Sequence, residues 1–216
     1  MLEIIPIKPK VLAVRHIPNV SPNLAQTLKL EPHERSIGLV TATIDDCCYA
    51  ALDEATKKAE VRVVYARSFY AGSAHASGPL SGEIIGILAG ANPAEVRSGL
   101  EALVECMEND VAFFSPDGGA TAYFAHVISR TGSYLSAEAG IPEGQPLAYL
   151  IAPPIEAMVG LDAALKAAEV RLCTLYEPPS PTNFSGGLLT GSQSACKAAC
   201  QAFASAVVEV AMNPLT

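Results

Sequence analysis

Charge is scarce in this chain: 17% of its 216 residues are Asp, Glu, Lys or Arg, against 50% hydrophobic ones. Soluble domains carry about 25% charged residues, so part of this surface is expected to be covered by partners. Cations are scarcer still, 14 Lys and Arg against 22 acids, and the resulting net charge of −8 comes with no basic cluster. Phosphate backbones need clustered cations, which excludes a nucleic-acid partner and leaves cationic or neutral small molecules. No apolar run approaches the roughly 18 residues that cross a bilayer, and the opening MLEIIPIKPKVL lacks the charged-then-apolar layout of a signal peptide. A soluble cytoplasmic protein without a membrane partner is expected. The six cysteines contain no CxxC pair, and Cys196 and Cys200 lie four apart in an Ala-rich helical stretch. They read as reduced thiols packed as small hydrophobes. No Gly-rich phosphate fingerprint is present, and no cofactor is expected.

What the chain does have is a repeat. Leu52 to Val64 (LDEATKKAEVRVV) and Leu161 to Cys173 (LDAALKAAEVRLC) share eight of thirteen positions at an offset of 109 residues. The flanks follow: His16-Ile17 recurs as His126-Val127, Ile37 to Val40 as Leu147 to Leu150, and Gly86 to Gly90 as Gly187 to Gly191. A spacing of half the length excludes a solenoid, whose units are shorter and more numerous. It predicts a tandem duplication, with domains at 1–112 and 113–216, each long enough to bury its own core.

The same elements are expected in each half. Val11 to Ile17 and Ala122 to Ile128 read as strands, each followed by a polar, partly helical segment. Apolar runs Ile37 to Ala42 and Leu147 to Ala152 end in the loops TIDD and PPIE. Asp53 and Asp162 are expected at helix starts, where carboxylates meet the exposed N–H groups of a first turn. Val- and Arg-rich strands follow, then hairpin-like connections, the apolar strands Ile84 to Leu88 and Leu188 to Thr190, and final helices beginning near Pro93 and Ser192. Too few residues separate the elements for parallel crossovers throughout, so each half is an α+β sandwich. His16 and His126 are expected to be buried structural residues.

One connection differs between the halves. Tyr65 to Gly82 (YARSFYAGSAHASGPLSG) is long and made of Gly, Ala and Ser, whereas Tyr176 to Gly187 (YEPPSPTNFSGG) is shorter and stiffened by three prolines. A long loop of small residues in a compact domain is a candidate moving element.

The adjacent acids Asp45 and Asp46 stand out chemically. At an offset of 110 their counterparts are Ile155 and Glu156, so one acid would be retained in the second half. An ammonium group within about 4 Å of a carboxylate gains on the order of 4 kcal/mol before desolvation, enough for weak, reversible capture. The alternatives are an ordinary solvated capping turn, or an acid–base pair, although no Ser, His or metal-ligand constellation accompanies the acids.

Five segments, LVTATIDDCCYAALDEATK, VVYARSFYAG, SRTGSYLS, AYLIAPPIEA and LTGSQSACKAAC, resemble in order and across nearly the whole chain the EutL-type shell proteins of the ethanolamine-utilisation bacterial microcompartment. The resemblance implies two circularly permuted, ferredoxin-like microcompartment domains and a pseudohexameric homotrimer that tiles edge to edge with other shell proteins in the cytoplasm. It also implies a structural, non-enzymatic role, a gated central pore, and small pores that bind ethanolamine. On this basis Glu83 joins Asp45, Asp46 and Glu156 as an anion of the small pore, and Phe113 forms a wall. Tyr70, Ala71, Gly72, Ser73 and His75, with Pro181, Thr182 and Asn183 opposite, are assigned to the gate. Three copies of His75 about an axis would make a metal site, since neutral imidazole binds zinc. A tandem ferredoxin-like small-molecule sensor, or a shell protein for a related amine or alcohol, is the alternative.

Overall fold

The repeat becomes two antiparallel four-stranded sheets of identical strand order in a computed structural model, which describes residues 3–70 and 78–215. The chain opens with a short strand, β1 (Ile5–Ile7), paired antiparallel with β6 (Phe113–Ser115). Both belong to the unit formed by residues 1–8, 112–131 and 136–216; the other unit comprises 9–111 with 132–135.

In the unit built on 9–111, β2 (Val11–Ile17), β3 (Ser36–Ala42), β4 (Val61–Ser68) and β5 (Ile84–Gly90) lie in the order β2-β3-β5-β4. The short helix α1 (Pro22–Thr27) follows β2, α2 (Asp45–Lys58) follows β3, and α3 (Pro93–Asn109) follows β5. Both long helices are specified locally. Asp45 and Asp46 open α2 and Lys57 and Lys58 close it, matching the helix dipole at each end. Asn92 caps α3 by accepting from the N–H groups of Ala94 and Glu95, with Pro93 at the first helical position. The second sheet face carries Ile37, Ile87 and Ala89 in a cluster with Val20, Ala25 and Leu28 from the α1 region.

The other unit repeats this with β7 (Phe124–Ile128), β8 (Leu147–Ala152), β9 (Val170–Tyr176) and β10 (Ser185–Gly191) in the order β7-β8-β10-β9. Its helices are α4 (Ser133–Ala139), whose first three residues fall in the other unit, α5 (Pro154–Ala167) and α6 (Gln193–Met212). Ala148, Leu150 and Ala152 of β8 pack with Leu161 of α5 and Cys196, Phe203 and Val207 of α6. The alternate residues Leu147, Tyr149 and Ile151 are buried as well. A strand covered on both faces reads as an unbroken apolar run, as this one does.

Three expectations need correction. Asp53 and Asp162 do not start helices, because α2 and α5 begin eight residues earlier, at Asp45 and Pro154. Asp53 is instead buried in mid-helix, where its carboxylate accepts from the N–H groups of Gly132 (2.7 Å) and Leu135 (2.8 Å). It therefore does serve a helix N-terminus, that of α4 rather than its own. Asp162 is exposed and pairs with Lys166 one turn on, at 2.5 Å. His16 and His126 are half-buried rather than buried: His16 Nε2 lies 2.7 Å from Ser36 Oγ, and His126 stacks on Phe124 at 5.2 Å. The strand expected from Ala122 begins at Phe124.

Candidate functional site

Ile44 has extended backbone and offers no side-chain cap, so the first turn of α2 is served by its own acids. The N–H of Asp46 donates to Asp45 Oδ1 at 2.9 Å. Both carboxylates are nearly buried, Asp45 at 6% and Asp46 at 7% exposure, unlike the solvated capping turn of the bland alternative. Glu83 immediately precedes β5, the strand paired with β3. Gly82 takes a left-handed backbone (φ 63°), and a Cβ there would collide with the carbonyl of Ala42. That close approach lets Glu83 N–H donate to Ala42 O at 2.8 Å, while its own carbonyl accepts from Phe69 N–H at 2.9 Å. Glu83 is thus pinned between the end of β3 and the end of β4.

Burial, reinforced by the negative charge of Asp45, pushes the Glu83 carboxyl up to about 7. Near neutrality Glu83 is about half protonated, and a cation between the two acids would favour its ionised form. Tyr49 lies one helical turn beyond Asp45 and faces the same side. Its hydroxyl is 2.7 Å from Ser68 Oγ, and its ring stacks on Tyr134 with centroids 6.2 Å apart. Burial raises Tyr49 to about 12, with Asp45 and Asp46 adding to the effect, so the phenol keeps its proton. Cys47, Cys48 and Cys106 are buried thiols, all pushed upward by desolvation. They present no thiolate nucleophile.

The structure therefore brings Asp45, Asp46 and Glu83 into one neighbourhood. Phe113 and Glu156 belong to the other unit. There Phe113 is buried, stacked on Phe124 at 5.2 Å and meeting Phe184 edge-on at 6.0 Å. Glu156 is half-buried in the first turn of α5. Its correspondence with Asp46 does not hold. Helices α2 and α5 are both 14 residues long and start 109 residues apart, because two residues join β3 to α2 and one joins β8 to α5. Asp45 and Asp46 therefore match Pro154 and Ile155, and Glu156 matches Cys47. Likewise Ala42 pairs with Ile84 and Ala152 with Ser185, so the counterpart of Glu83 is Phe184. No acid of the first site recurs in the second.

Of the gate residues, Tyr70 follows β4 and is 69% exposed. Ala71, Gly72, Ser73 and His75 lie outside the described residues, and with them the metal expectation for His75. Pro181, Thr182 and Asn183 form a tight turn organised by Ser180, which bonds Phe184 in both directions and accepts from Asn183 N–H at 2.9 Å. Asn183 adopts φ 65° there. Among the described residues no group of three His, Cys, Asp or Glu is placed to hold a metal ion. Tyr49, Ser68 and Ser180 were missed in the sequence; for Tyr49 the signal was its four-residue spacing from Asp45.

Comparison with known proteins places this geometry in context. The BMC domain matches residues 36–115. The chain is 62% identical to the bacterial microcompartment shell protein EutL of Clostridium perfringens (strain 13 / Type A), over 97% of both chains. Its namesake in Escherichia coli (strain K12) is 57% identical over 97% of this chain and 96% of that one. The crystal structure of ethanolamine utilization protein EutL from Leptotrichia buccalis superposes with a TM-score of 0.95, at 64% identity and 98% coverage of each chain. These relatives are named for a shell or a utilisation system, not for a catalysed reaction.

Proposed function

The chain belongs to the EutL family of bacterial microcompartment shell proteins, and we propose that it forms a trimeric, pseudohexameric tile of the ethanolamine-utilisation shell, inside the cytoplasm, whose small pores bind and pass ethanolamine. The single observation that carries the ligand reading is the nearness of buried Asp45 to half-buried Glu83, two acids from different elements held in electrostatic reach. One ammonium group compensates both. Asp46 adds field beside them, Phe113 is retained as an apolar wall in the assembled trimer, and Glu156 has no part. The division of the duplicated copies is held at 1–112 and 113–216.

The exposed face of α5 supports assembly. Ile155, Met158, Val159 and Leu165 are 70%, 45%, 43% and 38% exposed, on a helix whose counterpart α2 buries the same side beneath Gly132 to Leu135. A neighbouring chain would cover it in a trimer. Tyr70, Ala71, Gly72, Ser73 and His75 remain the proposed gate, with Pro181, Thr182 and Asn183 as the shorter opposing loop. Metal binding at His75 is retained as part of that proposal.

Calorimetric titration of ethanolamine into the native protein, and into an Asp45→Asn, Glu83→Gln variant, tests the ligand site. Removing both charges is expected to weaken binding at least tenfold while leaving the assembly's mass unchanged. Equal affinity in the two proteins would remove the acids from the site.

A further inference from the structure

Two hydroxyls accompany the acids, and the amine reading gives them no role. Tyr49 and Asp45 are four residues apart on α2, so their side chains leave the same helix face one turn from each other. Ser68 is the last residue of β4 and stands opposite Ile84, the residue after Glu83; Phe69, next along, donates its N–H to the Glu83 carbonyl at 2.9 Å. The 2.7 Å contact between Tyr49 Oη and Ser68 Oγ therefore bridges the helix that supplies Asp45 to the end of β4, which pairs with β5 just beyond Glu83. Stacking of the Tyr49 ring on Tyr134 fixes the direction of the phenol.

We infer that the Tyr49–Ser68 hydroxyl pair reads the hydroxyl of a short amino alcohol whose ammonium group is held by Asp45 and Glu83. This specificity rests on the amine reading of that site. The chemistry suits the task. Two hydroxyls that share one hydrogen bond keep a second donor and spare lone pairs between them, so the pair can both accept from and donate to an alcohol. The phenol stays protonated across the physiological range, so the pair remains a neutral reader beside two anions. A carboxylate in its place would attract any amine and distinguish none. A ligand without the hydroxyl would displace solvent from the pair and return nothing to it.

The test compares ethanolamine with ethylamine, which carries the same ammonium and no hydroxyl, by calorimetry on the full-length assembled protein. One hydrogen bond of ordinary strength gives the native protein about fivefold preference for ethanolamine. In Tyr49→Phe, and separately in Ser68→Ala, the ratio of the two affinities is expected to fall towards one. A merely structural role would weaken both amines together and leave the ratio standing. Two variants on different elements guard against misfolding of either, checked by thermal melting. If both amines bind and the ratio is one in the native protein, or persists in both variants, the hydroxyl pair is not the reader and the acid site survives. If neither amine binds the native protein, the amine site itself fails, and this inference with it.

Discussion

Glu83 is the residue whose environment most changes its chemistry. Its carboxyl ordinarily titrates near 4.5 and is raised here to about 7. Between those values the folded chain holds a proton that the unfolded chain has released, so stability is full below 4.5 and falls as pH rises through about 7. Urea unfolding at pH 5 and pH 8 without ligand is expected to show the native protein losing stability at the higher pH. Glu83→Gln carries no such proton and loses less. An equal loss in both proteins would mean that Glu83 is not the group responsible. Ligand binding reverses the sign, because an ammonium group favours the ionised acid: ethanolamine should bind more tightly from pH 5 to 7 and then level off, while the amine itself, like other alkylammonium groups, stays charged.

At the scale of elements the duplication placed one motif in two situations. LDEATKK and LDAALKA lie at equal positions of α2 and α5, yet Asp53 is buried under two N–H groups of the α4 start while Asp162 sits in solvent beside Lys166. Asp53→Ala strands both N–H groups in the interior and is expected to cost about 3 kcal/mol or more, whereas Asp162→Ala breaks an exposed ion pair worth about 0.5 kcal/mol. Chemical denaturation of the two variants measures the contrast; equal losses would contradict it. Gly132 belongs to the same junction, since a Cβ there would collide with Thr56 and the Asp53 carbonyl. The sequence showed both aspartates and misplaced both. Apolar runs and turn residues made the strands of the two larger sheets legible, the start of β10 being missed by three residues, while the short β1 and β6 went unread; Pro93 marked a helix start correctly. Helix starts at Asp45 and Pro154 were hidden because neither is preceded by a Ser, Thr, Asn or Asp cap. Burial of the acids could not be read at all: it depends on Glu83 and β5, more than thirty residues away in the chain.

For the whole molecule the consequence lies in the one residue that separates the connectors. Two residues between β3 and α2 set Asp45 and Asp46 at the helix mouth; one residue between β8 and α5 sets Pro154 and Ile155 there. The strand partner changes in step, from Glu83 to Phe184, and Phe184 lies edge-on against Phe113. The acidic corner of one copy corresponds to an apolar, aromatic one in the other. On the proposed reading a chain of equal halves would offer ammonium ligands two sites, whereas this one is expected to offer one per 22.5 kDa chain, and so three in the proposed trimer. Calorimetry with ethanolamine, combined with light scattering for the native mass, is expected to give about one ligand per chain in a particle of three chains. Restoring the acids at Pro154 and Phe184 should not create a second site, because Pro153 and the shorter connector hold the α5 mouth in a different register. Two ligands per native chain would mean that aromatic and backbone groups in the second copy bind the amine without carboxylates, and the charge argument for the first copy would lose its force.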